Sequence, residues 1–298
     1  MRILLATDGS KDAAAAAAFL KDLPLPPSTT VRITAVVVLP DIALDVGPIR
    51  DIERSLHDEA RRVVEAARAM LTPCGVAIET DVAVGDPREQ IVRLAAEWRA
   101  DLIVVGARGI GLVKRFLLGS VSLAVARHAA CPVLVVKGRP RKLRSVLVAM
   151  DGSEDSFRAI RFLQLLALSR QTKIRLLSVV EALRYPTTAP GAVRAQLTKM
   201  IKELAAERRG ELEKVLERAA MQLDDKITRV TRSTPIGNPS DEILATADDF
   251  ETDLVVVGAR GRGGMARLLL GSVSEKVLRH ARCPVLIVKE GVPTPPLG

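Results

Sequence analysis

The chain repeats itself once, and that duplication limits what it can fold into more than any other feature of its 298 residues. RILLATDGS at 2–10 returns as SVLVAMDGS at 145–153, and DLIVVGARG at 101–109 returns as DLVVVGARG at 253–261. LLGSVS at 117–122 recurs at 269–274, and ACPVLVVK at 130–137 recurs as RCPVLIVK at 282–289. The offset is 143 between Asp8 and Asp151, and 152 from the pair Gly85-Asp86-Pro87 and Gly237-Asn238-Pro239 onward. The second copy therefore holds nine extra residues, expected around Pro186 to Ala206. A period this long describes two duplicated domains, 1–140 and 141–298, and not a solenoid of short repeats. The join near Gly138–Leu143 is short and basic, so the copies are expected to pack together.

Each copy alternates strands and helices. Ile3–Thr7 is an apolar run ending at Asp8, as a fully buried parallel strand would be. Ser10 is placed to cap an alanine-rich helix over 11–22. Val31–Val38, Ala77–Val84, Leu102–Val105 and Val133–Val136 read as strands two to five. Helices are expected at about 48–72, from Pro87, and from about Ser120. The second copy repeats this order from Val146 to Val288, with a longer second helix at about 192–222. Strict alternation predicts an α/β fold of two tandem, doubly wound, five-stranded parallel sheets, because parallel strands need crossovers that cover both faces.

Ligands of such sheets bind beyond the carboxyl ends of the strands, where the winding reverses. The informative residues collect there. Asp8 and Asp151 end the first strands, and two identical spacings begin at the ends of the fourth: Gly106-x2-Gly109-x9-Gly119-Ser120 and Gly258-x2-Gly261-x9-Gly271-Ser272. Glycines there let backbone approach a ligand without a Cβ in the way. The following Gly119–Ser122 and Gly271–Ser274 open helices whose free amides and positive dipole end suit phosphate. Ser120, Ser122, Ser272 and Ser274 can add hydroxyls. Lys114, Arg115 and Arg267, in the nine-residue loops, can pair with outer phosphates or stay solvated.

With both elements intact in both copies, the chain resembles the universal stress protein family, in particular its tandem members of the nucleotide-binding branch. The resemblance implies strand order 3-2-1-4-5, an adenine nucleotide alpha hydrolase-like sheet, and ATP in each domain with Mg2+ or Mn2+ bridging the phosphates. Carried over, it places Ala6, Thr7 and Asp8, and Ala149, Met150 and Asp151, beside adenine and ribose. Val36 and Val179, at the ends of the second strands, would meet the base. Gly106, Arg108, Gly109, Gly258, Arg260 and Gly261 would line ribose and phosphates. Gly119, Ser120, Val121 and Ser122, with Gly271, Ser272, Val273 and Ser274, would hold the phosphates. It also implies pairing of the fifth strands, Val133–Val136 against Val285–Val288, and a homodimer of two chains. Apolar residues along the long second helix, Leu197, Ile201, Leu204, Leu212, Val215, Leu216 and Ala219, are expected to be buried in their own domain.

Other classes fit poorly. Apolar runs are strand-length, far short of the roughly 20 residues a bilayer needs, and the N-terminus reads as a strand rather than a signal peptide. The net charge is +9, but aromatic residues make up 2% of the chain. That leaves few platforms for stacking bases, so nucleic acid is an unexpected partner. Three cysteines without Cys-x2-Cys spacing suggest neither a disulfide framework nor a zinc site, and fit a reducing cytoplasm. There is no Gly-x4-Gly-Lys-(Ser/Thr) loop, no Gly-x-Ser-x-Gly elbow and no His-Glu-x-x-His helix. No catalytic constellation or metal-ligand set stands out. The expected role is a nucleotide-binding stress-response or signalling module; the alternatives are an adenylating enzyme or slow ATPase, a flavin carrier, a nucleotide-independent interaction protein, or a site for AMP or cyclic AMP.

Overall fold

The computed structural model describes residues 1–39, 47–110, 118–138, 141–182, 191–223, 229–262 and 269–291. Lys114, Arg115 and Arg267 lie outside them. The first half runs β1 (Arg2–Ala6), α1 (Lys11–Asp22), β2 (Thr30–Val37), α2 (Gly47–Leu71), β3 (Ala77–Val84), α3 (Pro87–Glu97), β4 (Leu102–Gly106), α4 (Ser120–His128) and β5 (Val133–Val136). The second half runs β6 (Ser145–Ala149), α5 (Glu154–Leu165), β7 (Lys173–Leu177), β8 (Val180–Glu181), α6 (Gly191–Gln222), β9 (Arg229–Ser233) and β10 (Ile236–Gly237). It closes with α7 (Pro239–Asp249), β11 (Leu254–Gly258), α8 (Ser272–His280) and β12 (Val285–Val288). The helix starts are specified locally. Ser10 and Ser153 accept from the amides of Ala13 and Ser156, and Asp86 and Asn238 cap helices that begin on Pro87 and Pro239.

Within each half the strands are parallel in the order 3-2-1-4-5, yet the halves do not form separate sheets. One ten-stranded sheet runs β3-β2-β1-β4-β5-β12-β11-β6-β7-β9. At its centre β5 and β12 pair antiparallel, with Val285 opposite Val135 and Ile287 opposite Val133. Helices α1, α2, α5 and α6 bury one face, and α3, α4, α7 and α8 the other. Both cores run unbroken across the seam. Leu134, Val136, Leu286 and Val288 belong to one face; Val133, Val135, Val285 and Ile287 belong to the other.

Two lysines stitch the seam reciprocally. Lys137, just after β5, donates to the carbonyls of Leu278 and Ala281 at the end of α8. Lys289, just after β12, donates to those of Arg127 and Ala129 at the end of α4, at 2.8 Å each. Both satisfy carbonyls that a helix C-terminus leaves unpaired. Burial pushes both ammonium groups down to about 8. A neutral amine still has two N–H groups, one for each carbonyl. Between pH 8 and 9 the unfolded chain holds protons that the folded chain has released. Stability should therefore rise, by about 2 kcal/mol for the pair. The thiols of Cys131 and Cys283, raised by burial from 9.0 to about 11, ionise first in the unfolded chain; they trim the rise as pH approaches 9 and oppose it fully above. Denaturant titrations should show the increase confined to pH 8–9, and Lys137→Met with Lys289→Met should flatten it.

The halves differ in two places. Helix α6 has 32 residues against 25 in α2, so most of the insertion is helix. Leu212, Leu216 and Ala219 are buried and Val215 packs beside them, as expected. The expectation fails for the preceding turns. Leu204 is 45% exposed, Leu197 and Ile201 are only half-buried, and Val193 and Met200 are exposed, because this part of α6 extends past its core. The second strand also breaks: β7 stops at Leu177, and β8 pairs separately with β10. Pro235 stands where the first half has Ala83, and without an N–H it cannot continue the ladder. Val179 therefore lies in the gap between β7 and β8, not at a strand end.

Candidate functional site

Each half carries a cavity at the carboxyl ends of its strands. The first, about 600 Å3, brings together Ala6, Thr7, Asp8, Val36, Gly106, Arg108, Gly109 and Gly119 to Ser122. The second, about 410 Å3, brings together Ala149, Met150, Asp151, Val179, Gly258, Arg260, Gly261 and Gly271 to Ser274. The residues carried over from the family resemblance thus line one cavity or the other, while Lys114, Arg115 and Arg267 lie outside the described residues. Because β5 and β12 are antiparallel, the strands of the two halves run in opposite directions, and the cavities open on opposite edges of the common sheet.

The glycines have reasons the sequence did not reveal. A Cβ on Gly106 would lie 2.5 Å from the backbone carbon of Asp12 and 2.6 Å from the amide of Ala13, so the first turn of α1 occupies that space. Gly258 meets the first turn of α5 in the same way. These two serve helix packing. Gly109 and Gly261 serve the cavity, since a Cβ there would come within 2.6 Å of Asp8 Oδ2 and 2.7 Å of Asp151 Oδ2. Each aspartate ties two loops together. Asp8 accepts from the amides of Ser10 at 3.0 Å and Ile110 at 3.0 Å, and Asp151 from those of Ser153 at 2.9 Å and Arg262 at 2.8 Å. Each aspartate thus holds the turn that leads into a helix and stands on a cavity wall at once.

Several side chains are already committed. Ser122 Oγ donates to the carbonyl of Gly106 at 2.6 Å, and Ser274 Oγ to that of Gly258 at 2.6 Å. They lock each helix to its strand end, so what they offer the cavity is an amide rather than a hydroxyl. Ser120 and Ser272 are exposed on the lining. Neither α4 nor α8 has a side-chain cap at Gly119 or Gly271, which leaves first-turn amides for a ligand. Arg108 binds Asp12 through two hydrogen bonds, 2.8 and 3.1 Å, and Asp12 raises its pKa further. Arg260 is shared between Glu290 at 2.7 Å and Asp155 at 3.3 Å. Each guanidinium lines its cavity but rests on a carboxylate. Among the described residues no three His, Cys, Asp or Glu side chains converge as a metal-ligand set. No helix among them is long and apolar enough to cross a membrane.

Sequence reasoning missed Thr34, Ile110 and Leu118 in the first cavity, and Glu181, Arg208 and Arg262 in the second. Thr34 lies in the middle of an apolar strand, where a β-branched residue carries no signal of its own. Arg208 is supplied by α6, whose reach over the cavity depends on how the helix packs.

Fold and site together define a duplicated, doubly wound α/β protein with one amide-lined cavity per half. The family model for the universal stress protein family matches residues 1–137 and 142–289, and the chain belongs to that family as a tandem member. It is 32% identical to a universal stress protein of Mycobacterium tuberculosis over 263 residues, 85% of this chain and 82% of the other. It is 30% identical to one of Mycolicibacterium smegmatis, with 96% of each covered. Among solved structures, a universal stress protein from Archaeoglobus fulgidus has a TM-score of 0.65 at 24% identity, covering 97% of this chain and 98% of that one.

Proposed function

We propose that this universal stress protein binds ATP in both halves, in two domains divided at 140/141, and acts as a cytoplasmic stress-response or signalling module. One observation carries the reading. The spacing Gly-x2-Gly-x9-Gly-Ser, present twice in sequence, comes together twice as a cavity with an aspartate-clamped loop on one wall and an uncapped helix N-terminus on another. The amides of Ser120 to Ser122 and Ser272 to Ser274 would take the phosphates. Asp8, Val36, Asp151 and Val179 would take ribose and base, and Mg2+ or Mn2+ would be held mainly by the phosphates themselves. Mass spectrometry of nucleotide released by denaturing freshly purified protein tests the reading directly. An adenine triphosphate supports it, AMP or cyclic AMP would redirect it, and no nucleotide together with no binding in titrations would sink it.

Two chains would further associate as a homodimer through the α6 stripe of exposed Val193, Met200 and Leu204 and half-buried Leu197 and Ile201, which leaves apolar side chains in water. Light scattering should give twice the chain mass. A monomer unchanged by ATP removes this part.

A further inference from the structure

The two cavities differ at the wall made by the second strand. Thr34 in β2 is fully buried and lines the first cavity, and its Oγ1 has no hydrogen-bond partner. Three buried side-chain polar atoms among the described residues lack partners, and of these Thr34 Oγ1 alone belongs to a cavity wall described above. Thr7 stands beside it, its amide donating to the Thr34 carbonyl at 2.9 Å. In the second half the amide of Met150 donates to the carbonyl of Leu177 at 2.8 Å, so Met150 and Leu177 are the counterparts of Thr7 and Thr34. The Thr34 hydroxyl of one cavity is replaced by the Leu177 isobutyl group in the other, which is also the smaller.

A buried hydroxyl without a partner is costly, and the cost is removed when a ligand supplies the missing hydrogen bond. Position says which part of the ligand reaches it. β2 lies on the far side of β1 from β4, and the helix N-terminus that suits phosphate follows β4. The hydroxyl therefore belongs to the base end, with Val36 and Val38 as apolar neighbours. We propose that Thr34 hydrogen-bonds the polar edge of the base in the first cavity, a contact that Leu177 cannot make in the second. This rests on the nucleotide reading above.

The test is Thr34→Val, close to isosteric, in a Gly261→Val background that leaves the first cavity to be read by calorimetry. Affinity for ATP and for AMP should fall about fivefold, the worth of a neutral hydrogen bond. Affinity for inorganic tripolyphosphate should not change. The ligand-free chain should melt higher, by about 2 °C, because an orphaned polar atom has gone. Thr34→Ser should restore binding. Leu177→Thr, in the otherwise unchanged chain, should strengthen the second site for ATP and supplies a reading should the double variant fail to fold. Unchanged ATP affinity, an equal loss for tripolyphosphate, or a lower melting point alongside weaker binding would overturn the role of Thr34 while leaving the nucleotide reading standing. Absence of ATP binding by the unsubstituted chain removes both.

Discussion

A chain with lysine at both Val135 and Ile287 should lose the union of its halves. Both positions are 0% exposed, one on each central strand, and both point into the same face of the sheet. Two further ammonium groups would enter a core that already holds Lys137 and Lys289 only by giving them helix carbonyls. Nothing comparable awaits a lysine among Val133, Val285 and Val255, which lie in the same apolar cluster. The combined cost should be at least about 5 kcal/mol, comparable to the whole stability of many domains. Aggregation, or a denaturation curve that splits into two transitions, is the expected outcome. A soluble variant with an unchanged single midpoint would show that the seam does not bind the halves together.

The second large effect concerns the glycines that face the aspartates. Gly109→Val sets a branched side chain where Asp8 Oδ2 would be 2.6 Å from its Cβ, and Gly261→Val does the same against Asp151. The carboxylate must move, the amide of Ile110 or Arg262 loses its acceptor, and the loop leaving the fourth strand is no longer held at the cavity wall. Calorimetry with ATP should fall from two sites per chain to one in either single variant, with affinity at the altered site down by about 100-fold or more. Two full sites remaining after either change would mean that the clamp is irrelevant to binding. A single site in the unsubstituted chain, lost on changing only one copy, would make the other cavity structural.

Much of this architecture is legible because buried parallel strands write themselves as unbroken apolar runs and helix starts are local events. LeuIleValVal at 102–105 and Ser10 before an alanine run need no partner to be recognised. What stayed hidden is decided by partners distant in sequence. Gly106 is required by the backbone of Asp12, 94 positions away in the chain and adjacent only after folding. Ser122 reads as a phosphate donor until Gly106 supplies a carbonyl to it. The pattern along α6 is one continuous helical stripe, yet only its later turns find a core, since periodicity says which residues share a face and not where the neighbouring sheet ends. The pairing of β5 with β12 was expected from family resemblance; apolar composition alone would have suited a buried strand in either sheet.

Because β5 and β12 belong to one polypeptide, their pairing is a unimolecular event. Dilution does not weaken it, and the tether sets an effective concentration on the order of millimolar, whatever the abundance of the protein. That releases the two surfaces from having to match copies of themselves. Arg127 on α4 binds Glu275 on α8 at 2.7 Å, whereas Leu123, at the position in α4 that corresponds to Glu275, offers Arg279 nothing in return. In a symmetric pair of separate chains such a contact would appear twice or not at all. Within one chain it appears once, and each half is free to acquire changes that the other does not share.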